Sequence, residues 1–472
     1  MTYKQFKWWF AGLIVFATII FCFNLGKLPF IDYDEATYAQ VTNYTVSTND
    51  IGTLKIAQNS PWFEKPPFYF WAAMVSGDIF GPSEFSYRLP AALSGVVGIV
   101  LVVLITLELG GGYIAALLSG FILLSTGLYL EAGRQFRLDV PVTATMLLAY
   151  YSFLRGLRHS TWLWGIGISI GLGLMLKSVI GFFPLIAIGL HSIFFREYTW
   201  LKKRQVWYGV AAGAVIVIPW HIQQSVRYGQ RFWNDYLMYH ILKRFGGNIL
   251  GAHRSNINYI DDFYRYAAPW TLTFFAGTIA LLSAFKKSVQ RKHMIVMAMT
   301  VYTIIAVFFI SRTKLTYYFV PIFPFVAIFC SLLTIELYKR LTDKTALYVI
   351  LSIATIWATY NIYYVGYAHQ PVMRFNIDLA IEEKAVGEIA AKYNTPDIYM
   401  LVYNYYESVR YYSNNKKIIT LQPNMSIPPA ILVVLPTSLY TSSQLPAVLK
   451  EHMNPLYQGE FISLVILDQT KK

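Results

Sequence analysis

Two groups of ionisable residues lie between the first two long apolar segments of the 472-residue chain. In FIDYDEATYAQVTNYTV, Asp34 and Glu35 follow Asp32, and in SPWFEKPPFYFW, Glu64 and Lys65 precede two prolines. A carboxylate at a membrane surface can act as a general base on a hydroxyl or amine, or it can bind a metal. A lysine beside a glutamate suits the binding of a phosphate. These residues predict acid–base or phosphate chemistry in this stretch.

A structural role for the same residues stays open. Asp34 and Glu35 would also stabilise the N-terminus of an interfacial helix through the helix dipole. The prolines and aromatic residues that follow Lys65 suit a helix start in the aromatic belt of a membrane. Three carboxylates beside lipid phosphates would repel that surface, however, so anchoring alone explains the acidic group poorly.

Further cationic, aromatic and histidine residues recur at the corresponding ends of later segments. Arg134, Arg137 and Asp139 lie in YLEAGRQFRLDVPV, and Lys177 lies between the fifth and sixth apolar segments. The others are Arg312, Lys314, Tyr317 and Tyr318 in SRTKLTYYFVPIFP, and His221, His240, Arg244 and His253 at and within 222–267. Singly, each cation fits a snorkelling anchor and each histidine a structural position. Together they predict convergence on one anionic head group.

The elements that must position these residues are membrane-spanning helices. The chain is 56% hydrophobic and only 14% charged, with a mean hydropathy of +0.44, whereas soluble proteins are about 25% charged. Stretches of roughly twenty apolar residues predict about eleven spans: 8–26, 89–109, 111–130, 139–155, 161–176, 178–195, 205–221, 268–285, 293–310, 316–338 and 345–366. The first lacks a cleavage site and is interpreted as an uncleaved helix.

Alternate loops are basic, which sets the predicted orientation. The basic residues are Lys4 and Lys7, Arg155 and Arg158, Arg196, Lys202, Lys203 and Arg204, Lys286, Lys287, Arg291 and Lys292, and Lys339, Arg340 and Lys344. With these loops inside, the sixty-residue loop 27–88 and the other candidate residues lie outside. Residues 1–369 are therefore predicted to form a membrane domain. Residues 370–472, with one helical stretch and several apolar strand-like runs, are predicted to form a small outer α/β domain.

Several other classes of function are excluded by the composition. The formal charge of +14 lies in short clusters between apolar stretches, which argues against a nucleic-acid partner. Cys22 and Cys330 lie in apolar runs and give neither a disulfide framework nor a metal-ligand spacing. The chain has no Walker motif or dinucleotide fingerprint, so a sugar donor facing outward would be lipid-linked rather than a soluble nucleotide sugar.

The motifs DYDEATYAQ, WFEKPPFYFW, SYRLPAAL, RLDVPV, MLKSVIGFFPL and KLTYYFVPIFP occur in an order that resembles the GT-C class of integral-membrane glycosyltransferases. Within that class the chain is most similar to the bacterial branch that contains the lipid A aminoarabinose transferases and their protein O-mannosyltransferase relatives. The resemblance covers residues 8 to about 340. It implies two juxtamembrane helices in the loop 27–88, a polyprenyl-phosphate-sugar donor and inverting transfer.

The resemblance also implies site residues. Asp34 matches the family's first-loop acid, Glu64 and Lys65 match its Glu–Lys pair, Asp139 matches an acid after the third span, and Tyr318 matches a tyrosine near the donor phosphate. The family arginine after the first-loop acid is replaced by Thr37, the usual Lys-Gly is Lys177-Ser178, and the His-x-x-Arg-Phe pattern is loosened to HILKRF. These departures concern the sugar and the acceptor more than the reaction class.

We therefore expect an α-helical membrane glycosyltransferase of the GT-C fold, in a bacterial inner membrane with its site outside. The predicted catalytic residues are Asp34, Glu64 and Asp139. The predicted phosphate-binding residues are Lys65, Arg137, Lys177, Lys314 and Tyr318, and the predicted acceptor or accessory residues are Glu35, Arg88, His240, Arg244 and His253. A divalent metal held by Asp34, Glu64 and His240 is an option that the reaction does not require.

The expected partners are a polyprenyl-phosphate-linked sugar, a lipid A, glycan or protein acceptor, and membrane lipids, with the chain acting as a monomer. Three alternatives stay open. A transporter or flippase of a lipid-linked sugar would show repeats and broken midplane helices. A scaffold protein would keep its function without Asp34. Within the enzyme class, a protein O-mannosyltransferase would differ only in its acceptor.

Overall fold

The computed structural model describes most of the chain. The residues outside the description are 32, 248–255, 284–287, 370–376, 396, 402–406, 423–424, 426–427, 443–444, 446–449 and 469–472. Contacts divide the chain into two compact units. The first is Met1–Leu25, Phe63–Ala72 and Arg88–Met373, and the second is Gly26–Trp62, Ala73–Tyr87 and Arg374–Lys472. The predicted boundary at residue 370 stays a prediction.

The apolar part of the chain is built from helices. They are Tyr3–Cys22, Glu84–Glu108, Gly112–Leu124, Gly127–Gly133, Asp139–Gly156, Trp164–Lys177, Pro184–Phe195, Arg204–Tyr228, Gln230–Trp233, Arg244–Gly246, Asn256–Ala267, Trp270–Ser283, Val289–Ile310, Phe323–Arg340 and Thr345–Asn361. Tighter 3₁₀ turns span Ser160–Leu163, Ser178–Phe182, Thr199–Lys202 and Thr316–Ile322, and wider π-helical turns span Asn234–Lys243 and Ile362–Tyr367.

The chain is a multi-span membrane protein. Among the described residues, seven helices are long and apolar enough to cross a membrane, or eight if Gly112–Leu124 and Gly127–Gly133, bent by 69°, form one span. Each of the eleven predicted segments overlaps a helix, but several are shorter than a full crossing, such as Pro184–Phe195 and Trp270–Ser283. The count of eleven crossings therefore stays a prediction.

Glycines allow the helix that ends at Lys177 to pack closely against Arg204–Tyr228. A Cβ atom added at Gly167 would lie 2.2 Å from the backbone of Gly209, and one at Gly171 would lie 2.8 Å from Gly213. Real Cβ atoms do not approach backbone this closely, so these positions require glycine. Small residues that let two backbones meet are a common device of helix packing in membranes. This contact fixes the helix that carries Lys177.

The loop 27–88 holds two helices and a short hairpin. Helix Asp34–Ser47 has a mostly buried surface, with Asp34 and Glu35 in its first turn. Strands β1 (Lys55–Ala57) and β2 (Ser60–Pro61) pair antiparallel. Helix Phe68–Phe80 follows, and Glu84–Glu108 begins immediately after it.

The C-terminal part is a five-stranded mixed sheet with helices. Its strands are β3 (Asp397–Met400), β4 (Lys417–Thr420), β5 (Ala430–Pro436), β6 (Met453–Gln458) and β7 (Ile462–Asp468) in the order β4-β3-β5-β7-β6. β3 pairs parallel with β4 and β5, and β7 pairs antiparallel with β5 and β6. The helices are Ile377–Ala391, Glu407–Tyr412 and Thr437–Thr441.

Alternate strand residues fill an apolar core on each face of this sheet. Leu432 and Val434 pack with Val386 on one face, and Val433 and Leu435 lie on the other. This alternation is what a sheet with both faces covered requires. The predicted fold class, an α-helical membrane protein with a small C-terminal α/β region, is confirmed.

Candidate active site

The Glu–Lys pair of the first loop is part of a buried ion cluster. One oxygen of Glu64 accepts a hydrogen bond from Lys65 Nζ at 2.8 Å and another from Arg244 Nη1 at 2.7 Å. Glu64 is only 8% exposed. Burial acts to raise the pKa of Glu64, but Lys65 and Arg244 outweigh it and hold this pKa well below the ordinary value. Glu64 is therefore a carboxylate at any physiological pH.

His240 lies beside this cluster in the turn Asn234–Lys243. Burial lowers the pKa of His240 to about 4. The negative charge of Glu64 acts to raise this pKa, and the positive charge of Lys65 acts to lower it. The imidazole is therefore neutral at pH 7. In this form it can donate one hydrogen bond and accept another, but it adds no charge to the cluster.

A second ion cluster surrounds Asp139, the first residue of helix Asp139–Gly156. Its Oδ1 lies 2.5 Å from Lys177 Nζ, and its Oδ2 lies 3.4 Å from Arg137 Nε. Asp139 is 2% exposed, so its charge is stable only because two cations and a helix N-terminus face it. Lys177 reaches it from the end of helix Trp164–Lys177, after which Ser178 adopts a positive φ of 49°.

A cavity of about 280 Å³ joins the two clusters. Its polar lining residues are Glu64, Lys65, His240, Arg244, Lys177, Ser178, Ser311 and Tyr318, and its apolar lining residues are Val179, Ile180, Phe183, Ile241, Leu242, Phe245, Val307 and Phe308. The ring centroid of Tyr318 lies 4.8 Å from that of Phe308, with the rings stacked, and 5.5 Å from Lys177 Nζ. The lining combines charged and hydrocarbon side chains, which matches a lipid phosphate.

The ion pairs leave the cavity positively charged. Four cationic side chains, Lys65, Arg244, Arg137 and Lys177, share two carboxylates, Glu64 and Asp139. With His240 neutral, the two clusters carry a formal excess of +2. An excess of this size in a half-buried cavity attracts an anion of charge −1 to −2.

A third polar group connects to the Asp139 cluster through Arg137. The guanidinium of Arg137 lies 3.6 Å from the ring centroid of Tyr317. The Tyr317 hydroxyl lies 2.7 Å from Glu131 Oε1 and 2.8 Å from Gln135 Oε1, and all these side chains are buried. Glu131 and Gln135 were not among the predicted residues. The only signal in the sequence is their place in the same polar stretch as Arg137.

Other predicted cations serve different contacts. Lys314 is buried and donates to the Ser311 carbonyl at 2.8 Å, next to the cavity. Arg88 donates to the carbonyl of Leu25 at 3.0 Å. Arg134 donates to the carbonyls of Phe21 and Phe23, at 3.2 and 2.9 Å.

Arg88 and Arg134 thus satisfy carbonyl groups at and beyond the C-terminus of the first helix, where cations are favoured. Arg134 therefore binds backbone carbonyls rather than the anionic head group on which the cations were predicted to converge. Lys65, Arg244 and Lys177 line the cavity, and Arg137 joins them through Asp139.

Asp34 and Glu35 belong to the other compact unit. Asp34 is the first residue of helix Asp34–Ser47 and is half-buried. Glu35 is 2% exposed, and its Oε2 accepts the backbone N–H of Ile31 at 3.2 Å. Glu35 therefore holds the turn that precedes the helix. His253 lies outside the described residues.

The residues named for a divalent metal do not fit one. Glu64 already accepts two cationic donors. Among the described residues, the structure has no group of three or more His, Cys, Asp or Glu side chains that could hold a metal ion.

The fold of the chain is similar to that of two solved proteins. The crystal structure of ArnT from Cupriavidus metallidurans bound to undecaprenyl phosphate matches 98% of this chain and 98% of that chain, with a TM-score of 0.76 at 18% identity. The archaeal oligosaccharyltransferase AglB from Archaeoglobus fulgidus matches 93% of this chain and 70% of that chain, with a TM-score of 0.56 at 12% identity. At these identities the likeness establishes the fold.

Sequence comparison gives the particular relatives. The model of the dolichyl-phosphate-mannose-protein mannosyltransferase family matches residues 64–222. The undecaprenyl phosphate-alpha-4-amino-4-deoxy-L-arabinose arabinosyl transferase 2 of Proteus mirabilis is 25% identical over 321 residues, 66% of this chain and 56% of that protein. The corresponding transferase of Aeromonas salmonicida is 25% identical over 352 residues, 71% of this chain and 61% of that protein.

The resemblance to the GT-C class and to its ArnT-like and mannosyltransferase-like members is thus confirmed. The match spans less than two thirds of the length of these curated relatives. The roles of the individual site residues stay predictions.

Proposed function

We propose that this protein is an inverting glycosyltransferase that moves a sugar from a polyprenyl phosphate to an acceptor in the bacterial envelope. The observation that carries the proposal is the cavity whose lining combines clustered cationic side chains with many apolar ones. A polyprenyl phosphate offers one charged head and a hydrocarbon chain. The names of the similar transferases, which include undecaprenyl phosphate, point to the same class of donor.

The charge excess would lower the barrier by binding the leaving group better than the donor. A sugar-linked phosphate carries one negative charge, whereas the released phosphate monoester carries about −1.5 to −2. The charge on the phosphate therefore grows as its bond to the sugar breaks. Lys65, Lys177 and Arg244 would gain interaction energy at that moment, and such differential stabilisation raises the turnover rate.

In the proposed step the bond between the anomeric carbon and the phosphate oxygen breaks, and its electron pair leaves with the phosphate. A nucleophilic atom of the acceptor forms the new bond from the opposite face, so the anomeric configuration inverts. The acceptor proton passes to a carboxylate, for which Asp34 is the residue predicted from the sequence. Phosphate is a good leaving group, so no strong general acid is needed.

Glu64 and Asp139 would have a different role from that predicted. Each carboxylate is held by two cations and is buried. A carboxylate in this setting is a poor proton acceptor because its cations stabilise the ionised form. We therefore assign Glu64 and Asp139 to orienting the cations, and we leave proton transfer to Asp34.

Further details of the proposal follow the sequence analysis. The proposed location is the bacterial inner membrane with the site facing outward, which the alternating basic loops support. The acceptor is lipid A, another glycolipid or glycan, or a protein. The match to the family of protein mannosyltransferases supports a protein acceptor, and a lipid or glycan acceptor is the alternative predicted from the sequence.

The test is mass spectrometry of envelope lipids, glycans and glycoproteins. The strains compared carry a deletion of the gene, the restored gene, or the restored gene with Asp34→Asn. We expect one sugar-sized mass to disappear on deletion and with Asp34→Asn, and its carrier then identifies the acceptor. If no such mass changes on deletion, the proposed function is wrong. If Asp34→Asn restores every species, Asp34 is not the base.

A further inference from the structure

The C-terminal region contacts the first outer loop within one compact unit. Tyr412 lies at the end of helix Glu407–Tyr412, and its hydroxyl accepts the backbone N–H of Phe30 at 2.9 Å. The same hydroxyl donates to Glu84 Oε1 at 2.8 Å. Lys384 Nζ lies 2.6 Å from that Glu84 oxygen and 5.1 Å from the Tyr412 ring. One tyrosine thus connects two separate points of the loop 27–88.

The side chain of Phe30 is buried among three tyrosine rings. Phe30 is 0% exposed. Its ring centroid lies 5.1 Å from that of Tyr411, 6.1 Å from that of Tyr87 and 6.4 Å from that of Tyr412. Aromatic pairs at these separations stabilise beyond their buried area. The segment before the first-loop helix is therefore anchored on the C-terminal region by ring packing and by a hydrogen bond.

This anchor lies four residues before Asp34. The amide after Phe30, that of Ile31, donates to Glu35 Oε2 at 3.2 Å, and the Ile31 carbonyl accepts the N–H of Ala36 at 3.4 Å. Helix Asp34–Ser47 also packs against helix Glu407–Tyr412. A shift of Phe30 would therefore move the start of the helix that carries Asp34.

We propose that Tyr412 is a positioning residue, through which the C-terminal region holds Asp34 in its catalytic position by way of Phe30 and Glu84. The inference rests on the proposed function, because it gives Asp34 a reason to be placed accurately. A misplacement of about 1 Å in a catalytic group can lower the rate by about a hundredfold. Loss of the Tyr412 hydroxyl removes the acceptor of this Phe30 hydrogen bond while the ring packing remains. We therefore expect the reaction rate to fall by about tenfold to a hundredfold.

The test compares Tyr412→Phe with Tyr411→Phe in the full-length protein. Tyr411 is the matched control because its ring packs edge-on against Phe30, while its hydroxyl makes no hydrogen bond in the part of the chain that the structure describes. Three quantities are measured: hydrogen exchange of the peptide covering 28–36, the initial rate of product formation in cells at matched protein levels, and the Kd for undecaprenyl phosphate.

We expect Tyr412→Phe to raise exchange in 28–36 and to lower the rate at least tenfold, with the Kd for undecaprenyl phosphate unchanged. Tyr411→Phe should leave all three values within twofold of wild type. Unchanged exchange in 28–36 overturns the proposal, and so does raised exchange with an unchanged rate. Exchange of β5, measured in parallel, reports whether Tyr412→Phe is folded. If it is not, Glu84→Ala replaces it, because this variant removes the acceptor that orients the Tyr412 hydroxyl, and it must also raise exchange in 28–36 and lower the rate.

Failure of the proposed function gives a different result. If deletion of the gene changes no sugar-sized mass, or if Asp34→Asn keeps the full rate, the proposed function or its base is wrong, whatever Tyr412→Phe does. If Asp34→Asn abolishes the rate and Tyr412→Phe does not lower it, only the positioning role of Tyr412 is wrong.

Discussion

Replacement of Glu64 by glutamine tests the charge balance of the cavity. Glu64 is the shared partner of Lys65 and Arg244, at 2.8 and 2.7 Å, and is 8% exposed. Removal of one partner from a buried ion pair costs about 3–5 kcal/mol, because the remaining charge stays buried without compensation. Here two cations lose that partner, so we expect Glu64→Gln to destabilise the protein by about 3–5 kcal/mol.

The same replacement should strengthen anion binding. It raises the formal excess of the two clusters from +2 to +3 and leaves the cations in place. At an effective dielectric constant of about 20, one charge about 8 Å away contributes roughly 2 kcal/mol, or about thirtyfold in Kd. We expect undecaprenyl phosphate to bind at least tenfold more tightly to Glu64→Gln. Turnover should fall because the product is released more slowly.

The assay is thermal unfolding of the purified protein, followed by tryptophan fluorescence, with and without undecaprenyl phosphate. Because the pKa of Glu64 is lowered, its stabilising contribution is present above the ordinary carboxyl pKa and is lost only as the pH falls through the lowered value. The difference in stability between wild type and Glu64→Gln should therefore be constant from pH 5 to pH 8.

Glu388→Gln is the matched control, since the Glu388 side chain is 57% exposed and lies 4.0 Å from Lys384. It should change stability by less than about 1 kcal/mol. A Glu64→Gln variant that is as stable as wild type, and that binds undecaprenyl phosphate no more tightly, would refute the charge balance.

Three further predictions follow from other parts of the structure. Lys177→Met should lower kcat by about 10²–10³-fold through lost stabilisation of the leaving phosphate, and the initial rate of product formation measures this. Burial raises the pKa of Glu383 to about 7. The stabilising contribution of the protonated Glu383 is complete below the ordinary carboxyl pKa, and the free energy of unfolding should decrease by up to roughly 3 kcal/mol as the pH rises through 7. Hydrogen exchange of β5 at pH 5 and pH 8 measures this decrease, and Glu383→Gln should remove it. Gly209→Ala places a Cβ 2.6 Å from the Trp164 carbonyl oxygen and should lower the Tm by several degrees, whereas Gly189→Ala, with nothing within 4 Å, should leave the Tm unchanged.

The parts of the site that the sequence predicts are those with local signals. Glu64 and Lys65 are adjacent in the chain and form an ion pair. Asp139 and Lys177 are 38 residues apart, but each lies at a helix end that the hydropathy places on one side of the membrane, and they meet. Helix ends and alternating basic loops are therefore strong predictors of which residues share a side.

Contacts that depend on packing cannot be predicted in this way. Nothing local distinguishes Arg134 and Arg88, which satisfy backbone carbonyls around the end of the first helix, from Arg137, which joins the Asp139 cluster. One partner of Arg134, the Phe23 carbonyl, lies 111 residues away in the chain. Which cation binds a carbonyl and which binds a carboxylate is decided by tertiary structure.

The C-terminal sheet shows the same division. The strand-like runs DIYMLVY, KIITL, AILVVLP and EFISLVILD predict strands, and the structure has β3, β4, β5 and β7 in them. β6 was missed because Pro455 interrupts its pattern. A proline cannot donate to a ladder and is tolerated on an edge strand, and β6 is an edge strand of this sheet.

The central claim is that the protein breaks the bond between a sugar and a polyprenyl phosphate. The most direct measurement adds purified protein in nanodiscs to a detergent extract of deletion-strain membranes, which contains lipids, glycans and proteins, and follows the polyprenyl phosphates by mass spectrometry. The account predicts that a sugar-linked polyprenyl phosphate disappears while free polyprenyl phosphate appears in equal amount, and that Lys177→Met slows both changes. A sugar-linked polyprenyl phosphate that stays intact in the presence of wild-type protein would contradict the account and favour a transporter.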